Sequence, residues 1–173
     1  MLMWAPWRKT YLRSSSVKRT GCLFCALLRA KKDKRNLVLL RAVHHAVILN
    51  RYPYNNGHLM IVPKRHIACL SAMNAAEKSE FFEVMEKVRG ALVKAMRPQG
   101  FNVGMNIGDV AGAGIPDHLH WHIVPRWKGD VNFMPVMAGT KVISESLESA
   151  YDVLKCALYG KSGNKRSARK RAS

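Results

Sequence analysis

The sequence predicts an α+β fold: one antiparallel β-sheet with a long helix and a C-terminal helix packed on it. Three observations predict it: β-type runs joined by turn chemistry between Asn36 and Val62, a helix-period stripe after Asn74, and an alternating segment at His118–Val124. Leu37-Val38-Leu39-Leu40 and Ala46-Val47-Ile48-Leu49 are short apolar runs, the second rich in β-branched residues. Arg51 to Gly57 supplies a reversal, with Asn56-Gly57 its strongest signal. His58-Leu59-Met60-Ile61-Val62 then returns and stops at Pro63, so the region reads as an antiparallel meander.

The next element changes period. Asn74 caps a helix with Glu77 three residues on, and Phe81, Met85, Val88, Leu92 and Ala95 follow on one stripe until Arg97-Pro98-Gln99-Gly100 ends it. Phe101 to Asn106 is short and extended, and Gly108 to Gly114 is a glycine-punctuated loop. His118-Leu119-His120-Trp121-His122-Ile123-Val124 has period 2 and ends at Pro125. Leu147, Tyr151, Leu154 and Leu158 place a last amphipathic helix around Ser144–Leu158.

The chain has 173 residues and a net charge of +18, with 48% hydrophobic and 23% charged residues. That composition can bury a core and excludes global disorder, collagen-like repeats and a disulfide scaffold. The charge sits at the ends: +9 in residues 1–35, +6 in residues 160–173 and +3 between them. Residues 1–21 read as an N-terminal extension packing on the domain, 22–158 as one domain and 159–173 as a disordered basic tail. The tail reads equally as an arm that attracts nucleic acid and as a solvated solubility tail. No apolar run approaches the roughly 18–20 residues that span a bilayer, and the N-terminus lacks a secretory apolar region. A cytoplasmic protein with no membrane partner is expected.

Three histidines at alternate positions demand a chemical explanation. On a strand His118, His120 and His122 share one face while Leu119, Trp121 and Ile123 point into the core. Such a row suits either a bound metal or a nucleophile flanked by groups that position it and a phosphate. The preceding Gly108-Asp109-Val110-Ala111-Gly112-Ala113-Gly114 favours phosphate, because glycine lets backbone N–H groups turn toward an anion. Cys22-Leu23-Phe24-Cys25 has metal-knuckle spacing, and by itself is compatible with a redox pair, half a zinc site or two buried small residues. Cys69 and Cys156 stand alone.

His118 to Val124 resembles the signature of the histidine triad superfamily of nucleotide hydrolases and transferases, and Asn50 to His66 resembles that family's segment with a fourth active-site histidine. The similarity runs from about Cys22 to Trp127. Trp4-Ala5-Pro6-Trp7-Arg8 with Tyr11, and Gly129-Asp130-Val131-Asn132-Phe133 before Thr140-Lys141-Val142-Ile143, resemble its bacterial diadenosine tetraphosphate phosphorylase-like branch. The resemblance implies a HIT-like fold with roles for individual residues. His120 matches the nucleophile that attacks the α-phosphorus to form a covalent nucleotidyl-histidine. His122 matches the residue bonded to phosphate and leaving-group oxygens, and His58 the fourth histidine that orients the site. Backbone N–H groups of Gly112, Ala113, Gly114 and Ile115 match the phosphate cradle, and Asn50 and Asn106 match ribose or phosphate contacts.

Cys22, Cys25, His66 and His118 match the ligands of zinc-bearing members, which implies a structural zinc and no organic cofactor. The implied activity is cleavage of dinucleoside polyphosphates by phosphorolysis to ADP and ATP. Its rivals are diadenosine tetraphosphate hydrolysis, nucleoside phosphoramidate hydrolysis and a non-enzymatic nucleotide- or RNA-binding module. Many hydrolase members carry Gln where this chain has Gly114 and Ser or Thr where it has Ile115, a departure that favours the phosphorylase-like branch. The family also implies a homodimer formed through the long helix and a sheet edge.

Overall fold

The computed structural model of the chain describes residues 21–130 and 145–160. The expected N-terminal extension and basic tail fall outside these residues except for Gly21, Tyr159 and Gly160.

The elements follow in the order α1 (Leu23–Arg29), β1 (Val38–Arg41), β2 (His45–Leu49), β3 (Leu59–Pro63), a 3-10 turn (Leu70–Ala72), α2 (Ala75–Met96), β4 (Gly100–Gly104), β5 (Trp121–Arg126) and α3 (Leu147–Tyr159). The strands form one antiparallel sheet in the order β1-β2-β3-β5-β4. The predicted meander is its first three strands. Its apolar runs are buried almost completely, Val38, Leu39, Ala46, Val47 and Leu49 among them, as expected of strands covered on both faces.

Helix α2 begins in a complete capping box: Glu77 N–H donates to Asn74 Oδ1 and Asn74 N–H to Glu77 Oε2, both at 2.9 Å. It ends where Arg97 turns left-handed and Pro98 forbids another turn. Its apolar stripe covers one face of the sheet, with the Phe81 and Trp121 ring centroids 4.4 Å apart. Helix α3 lies beside α2 and is tied to β1, where Tyr151 Oη donates to Val38 O and Lys155 Nζ to Leu39 O. Helix α1 sets Phe24 against both His118 and His120. No helix of the described residues is long and apolar enough to cross a membrane.

One expected boundary is corrected. The histidine strand does not run from His118 to Val124: β5 begins at Trp121 and continues through Pro125 to Arg126. The pairing of Ile61 with Trp121 puts Pro63 opposite Leu119. Proline has no N–H for the ladder, so β3 stops there, and Leu119 N–H donates to Ile67 O instead. At the other end Pro125 is tolerated because it lies past the last β3 partner, Leu59, and its carbonyl on that side accepts from Asn55 Nδ2. His118 and His120 thus precede the strand, and His122 alone of the three sits within it.

Candidate active site and metal cluster

The β3–β5 register sets the first half of the site. Met60 faces His122, which puts His58 and His122 on one face as diagonal neighbours. His58 Nε2 lies 2.9 Å from His122 Nδ1. On its other side, His58 Nδ1 accepts from Tyr54 N–H at 3.0 Å and lies 3.3 Å from Asn50 Nδ2. Backbone N–H groups only donate, so the His58 proton must be on Nε2 and is given to His122 Nδ1. The hydrogen of a neutral His122 is then on Nε2, away from His58.

His120 is set by a different partner. Its Nδ1 is 2.9 Å from His118 O, which only accepts, so Nδ1 carries the hydrogen and Nε2 the free lone pair. Burial is the main cause holding the His120 ring below the usual imidazole range, against the backbone bond that raises it. Burial, with repulsion from the other histidines, lowers His58 to about 3 and His122 to about 4. At neutral pH all three rings are uncharged, so the chain presents a nucleophilic nitrogen beside an imidazole N–H donor.

The reversal before β3 is shaped for this arrangement. Gly57 has φ +69°, and a Cβ there would sit 2.6 Å from Met96 Sδ and 3.0 Å from Leu92 Cδ2. Asn50 closes the hairpin from the other end: its Oδ1 accepts from Tyr52 N–H and its N–H donates to His58 O.

The glycine-rich loop is folded on itself. Gly112 N–H donates to Asp109 O and Ala113 N–H to Gly108 O, while Gly108 and Gly112 adopt positive φ. Gly114 is exposed and Ile115 half-buried, and Ile115 O accepts from His118 N–H, which brings the loop to the histidines. Asn106 Nδ2 reaches Gly112 O at 3.3 Å and so braces the loop.

Cys22, Cys25, His66 and His118 converge on a second centre, their four donor atoms all within 4.8 Å of one another. His118 Nδ1 is 3.2 Å from Cys22 Sγ, 3.6 Å from Cys25 Sγ and 3.2 Å from His66 Nδ1. Cys25 Sγ is 3.6 Å from His66 Nδ1. Zinc bonds of 2.0–2.3 Å give tetrahedral edges of about 3.3–3.8 Å, close to these distances. His118 donates Nε2–H to Pro63 O at 2.9 Å, which leaves its Nδ1 lone pair facing the centre. Two thiols and two imidazoles with no carboxylate among them fit a closed structural zinc site. Burial and the Cys22 thiol push the Cys25 thiol up, so a metal entering here displaces protons.

The structure therefore brings His58, His120 and His122 into one centre and Cys22, Cys25, His66 and His118 into a second beside it, with Cys69 and Cys156 in neither. Four contributors were not legible as such. Phe24 packs on His118 and His120, Tyr54 supplies both a ring against His58 and His122 and the N–H on His58, and Pro63 holds His118 through a carbonyl. Arg65 locks the His66 loop by donating to both carboxylate oxygens of the buried Glu77, at 2.7 and 2.8 Å. Glu77 was visible only as a capping residue, and the basic residue beside His66 was the available signal for its partner.

Comparison with known proteins identifies the family. Residues 31–129 match the HIT domain model. The chain is 37% identical over 158 residues to the AP-4-A phosphorylase of Mycobacterium tuberculosis, covering 88% of this chain and 81% of that protein. It is 29% identical over 106 residues to the adenosine 5'-monophosphoramidase hnt1 of Schizosaccharomyces pombe, covering 61% of this chain and 74% of that one. A Zn-bound histidine triad family protein from Mycobacterium smegmatis shares the fold, with a TM-score of 0.64 at 23% identity over 80% of this chain and 93% of that one.

Proposed function

The chain belongs to the HIT-domain family, and from that premise we propose that it cleaves diadenosine tetraphosphate or a related dinucleoside polyphosphate by nucleotidyl transfer through His120. The observation that carries the reading is the His120 hydrogen bond to His118 O, which leaves Nε2 uncharged and free to attack. His120 Nε2 forms a bond to the α-phosphorus as the bond to the bridging oxygen breaks, and ATP leaves with that electron pair. His122 Nε2–H hydrogen-bonds the departing oxygen, where charge develops. Inorganic phosphate then attacks the nucleotidyl-histidine, releasing ADP and restoring the imidazole.

Gly114 and Ile115 N–H groups face the α-phosphate in this reading, Gly112 and Ala113 joining them when their bonds within the loop open. Asn50 and Asn106 contact ribose or phosphate from the two sides. Phosphorolysis is favoured over hydrolysis by the 37% identity to a phosphorylase over most of the chain and by Gly114 in place of a glutamine.

Cys22, Cys25, His66 and His118 hold a structural zinc, which supplies a rigid tie between the α1 knuckle and the segment carrying His120. A second copy of the chain pairs through α2 and the edge of β4, where Phe82, Val93 and Val103 are exposed. Sedimentation at a dimer mass checks that pairing.

The deciding experiment incubates the protein with diadenosine tetraphosphate, with and without inorganic phosphate. ADP plus ATP appearing only with phosphate is the expected result. AMP plus ATP without phosphate assigns hydrolysis instead, and no cleavage under either condition overturns the reading.

A further inference from the structure

The turn preceding His58 is held by a side-chain cluster outside the reacting groups. Asn55 is buried, and its Nδ2 donates both to Pro125 O at 2.9 Å and to Asp130 Oδ2 at 2.7 Å. The Asp130 carboxylate is nearly inaccessible. It also accepts from Arg126 Nε at 2.7 Å, Arg126 Nη2 at 3.0 Å and Trp127 N–H at 3.2 Å. Arg126 is fixed in turn by Nη1 on Asn102 Oδ1, across the β4–β5 pair. The main chain of Asn55 belongs to the hairpin, since its carbonyl accepts from His58 N–H. The neighbouring Tyr54 N–H is the donor that fixes the His58 tautomer.

A buried carboxylate with four donors is costly to assemble and costly to break. Here it joins two segments 75 residues apart, the end of β5 and the turn before β3. Both segments carry active-site histidines into the same diagonal pair.

We infer that Asn55 and Asp130 are positioning residues for the transfer reaction: they hold Tyr54 N–H on His58 Nδ1, and so keep the His122 Nε2–H aimed at the leaving oxygen. The inference rests on the nucleotidyl-transfer reading. Loss of the clamp lets Tyr54 N–H leave His58, whose Nδ1 then keeps only the longer contact with Asn50 Nδ2 and whose hydrogen is held less firmly on Nε2. The hold on His122 weakens with it, and its own hydrogen is no longer confined to Nε2.

The consequence is selective. A hydrogen bond to the departing oxygen is worth most when charge stays on that oxygen and least when the leaving group spreads it. The AMP phenyl and p-nitrophenyl esters provide that contrast, since in each the bond from His120 Nε2 to phosphorus replaces the phosphorus–oxygen bond and a phenolate leaves. The test is the single-turnover rate of phenol release from each ester for the wild-type protein and Asn55→Ala, with melting temperature as the check on folding.

The expected result is a loss of about 10²-fold on the phenyl ester, the scale of one removed donor, a smaller loss of under about tenfold on the p-nitrophenyl ester, and little change in half-saturating concentration. Asp130→Asn, which keeps the size of the side chain, shows the same selectivity in weaker form and carries the test if Asn55→Ala does not fold. Equal losses on both esters in a folded variant, or no loss on either, overturn the clamp. Wild-type protein that releases phenol from neither ester overturns the transfer reading and the clamp with it.

Discussion

His118 and His120 are two residues apart, yet they present opposite nitrogens to different chemistries. His118 spends Nε2–H on Pro63 O and turns Nδ1 to two cysteines and a histidine. His120 spends Nδ1–H on His118 O and leaves Nε2 free. Neither difference is a property of the side chain. In each case one backbone carbonyl chooses the tautomer, and the tautomer decides whether the ring is suited to a metal or to phosphorus.

The largest expected effect separates the two centres outright. His120→Ala should lower turnover of diadenosine tetraphosphate by at least about 10³-fold, with zinc content and nucleotide binding unchanged. Steady-state rates, metal analysis and a binding titration check all three. Next comes the opposite lesion, Cys25→Ala. It should abolish stoichiometric zinc and, if free zinc exceeds the dissociation constant 100-fold, remove about 2.7 kcal/mol of linkage, seen as a fall of roughly 5–10 °C in melting temperature. Folded molecules should retain turnover within about tenfold. A loss as deep as that of His120→Ala would show that the two centres are not separable.

Gly57→Ala sharpens the catalytic side. A left-handed alanine costs roughly 1–2 kcal/mol, and its Cβ must displace the Met96 sulfur, so urea unfolding should show a loss of about 2 kcal/mol with zinc retained. An effect no larger belongs to the metal side. Hydrogen bonds from Arg65 hold the Glu77 carboxyl down to about 2, against an ordinary value of 4.5. Because the folded value is depressed, the stabilisation is complete above about pH 4.5 and is lost as pH falls towards 2. It amounts to the order of 2 kcal/mol once screening around the half-exposed Arg65 is allowed for. Glu77→Gln should flatten that acid limb of the stability curve, and identical limbs would dissociate the pair from acid stability.

Much of this arrangement is legible in the sequence, for physical reasons that differ by element. The meander and α2 follow from local pattern, since Asn74 and Glu77 satisfy each other and the apolar stripe must find the sheet. Residue types at fixed spacing, together with a family resemblance, pointed to both histidine centres. The register was less accessible. Pro63 falls opposite Leu119 and ends β3 one position before it would have drawn His118 into the ladder, a consequence visible only once the β3–β5 pairing is known. Asn55 reads as a turn residue and Asp130 only as part of a family resemblance, because the partners that join them lie far along the chain. Backbone groups that select tautomers leave no mark in composition or periodicity.

The strand order β1-β2-β3-β5-β4 has one seam between strands that are not consecutive, and it is where β3 meets β5. The His58–His122 contact crosses it, and the His66–His118 contact lies at its end. The first three strands and the β4–β5 pair can each form from their own stretch of chain, but neither half holds a working fragment of either centre. Closing the seam is a long-range event that local contacts do not reward. During refolding, catalytic competence and tight zinc uptake should therefore return together, in step with that docking and after the bulk of the helical signal. A nascent chain that stops before β5 has His120 and the His118 carbonyl that sets its tautomer, but neither His122 nor the seam that brings His58 against it.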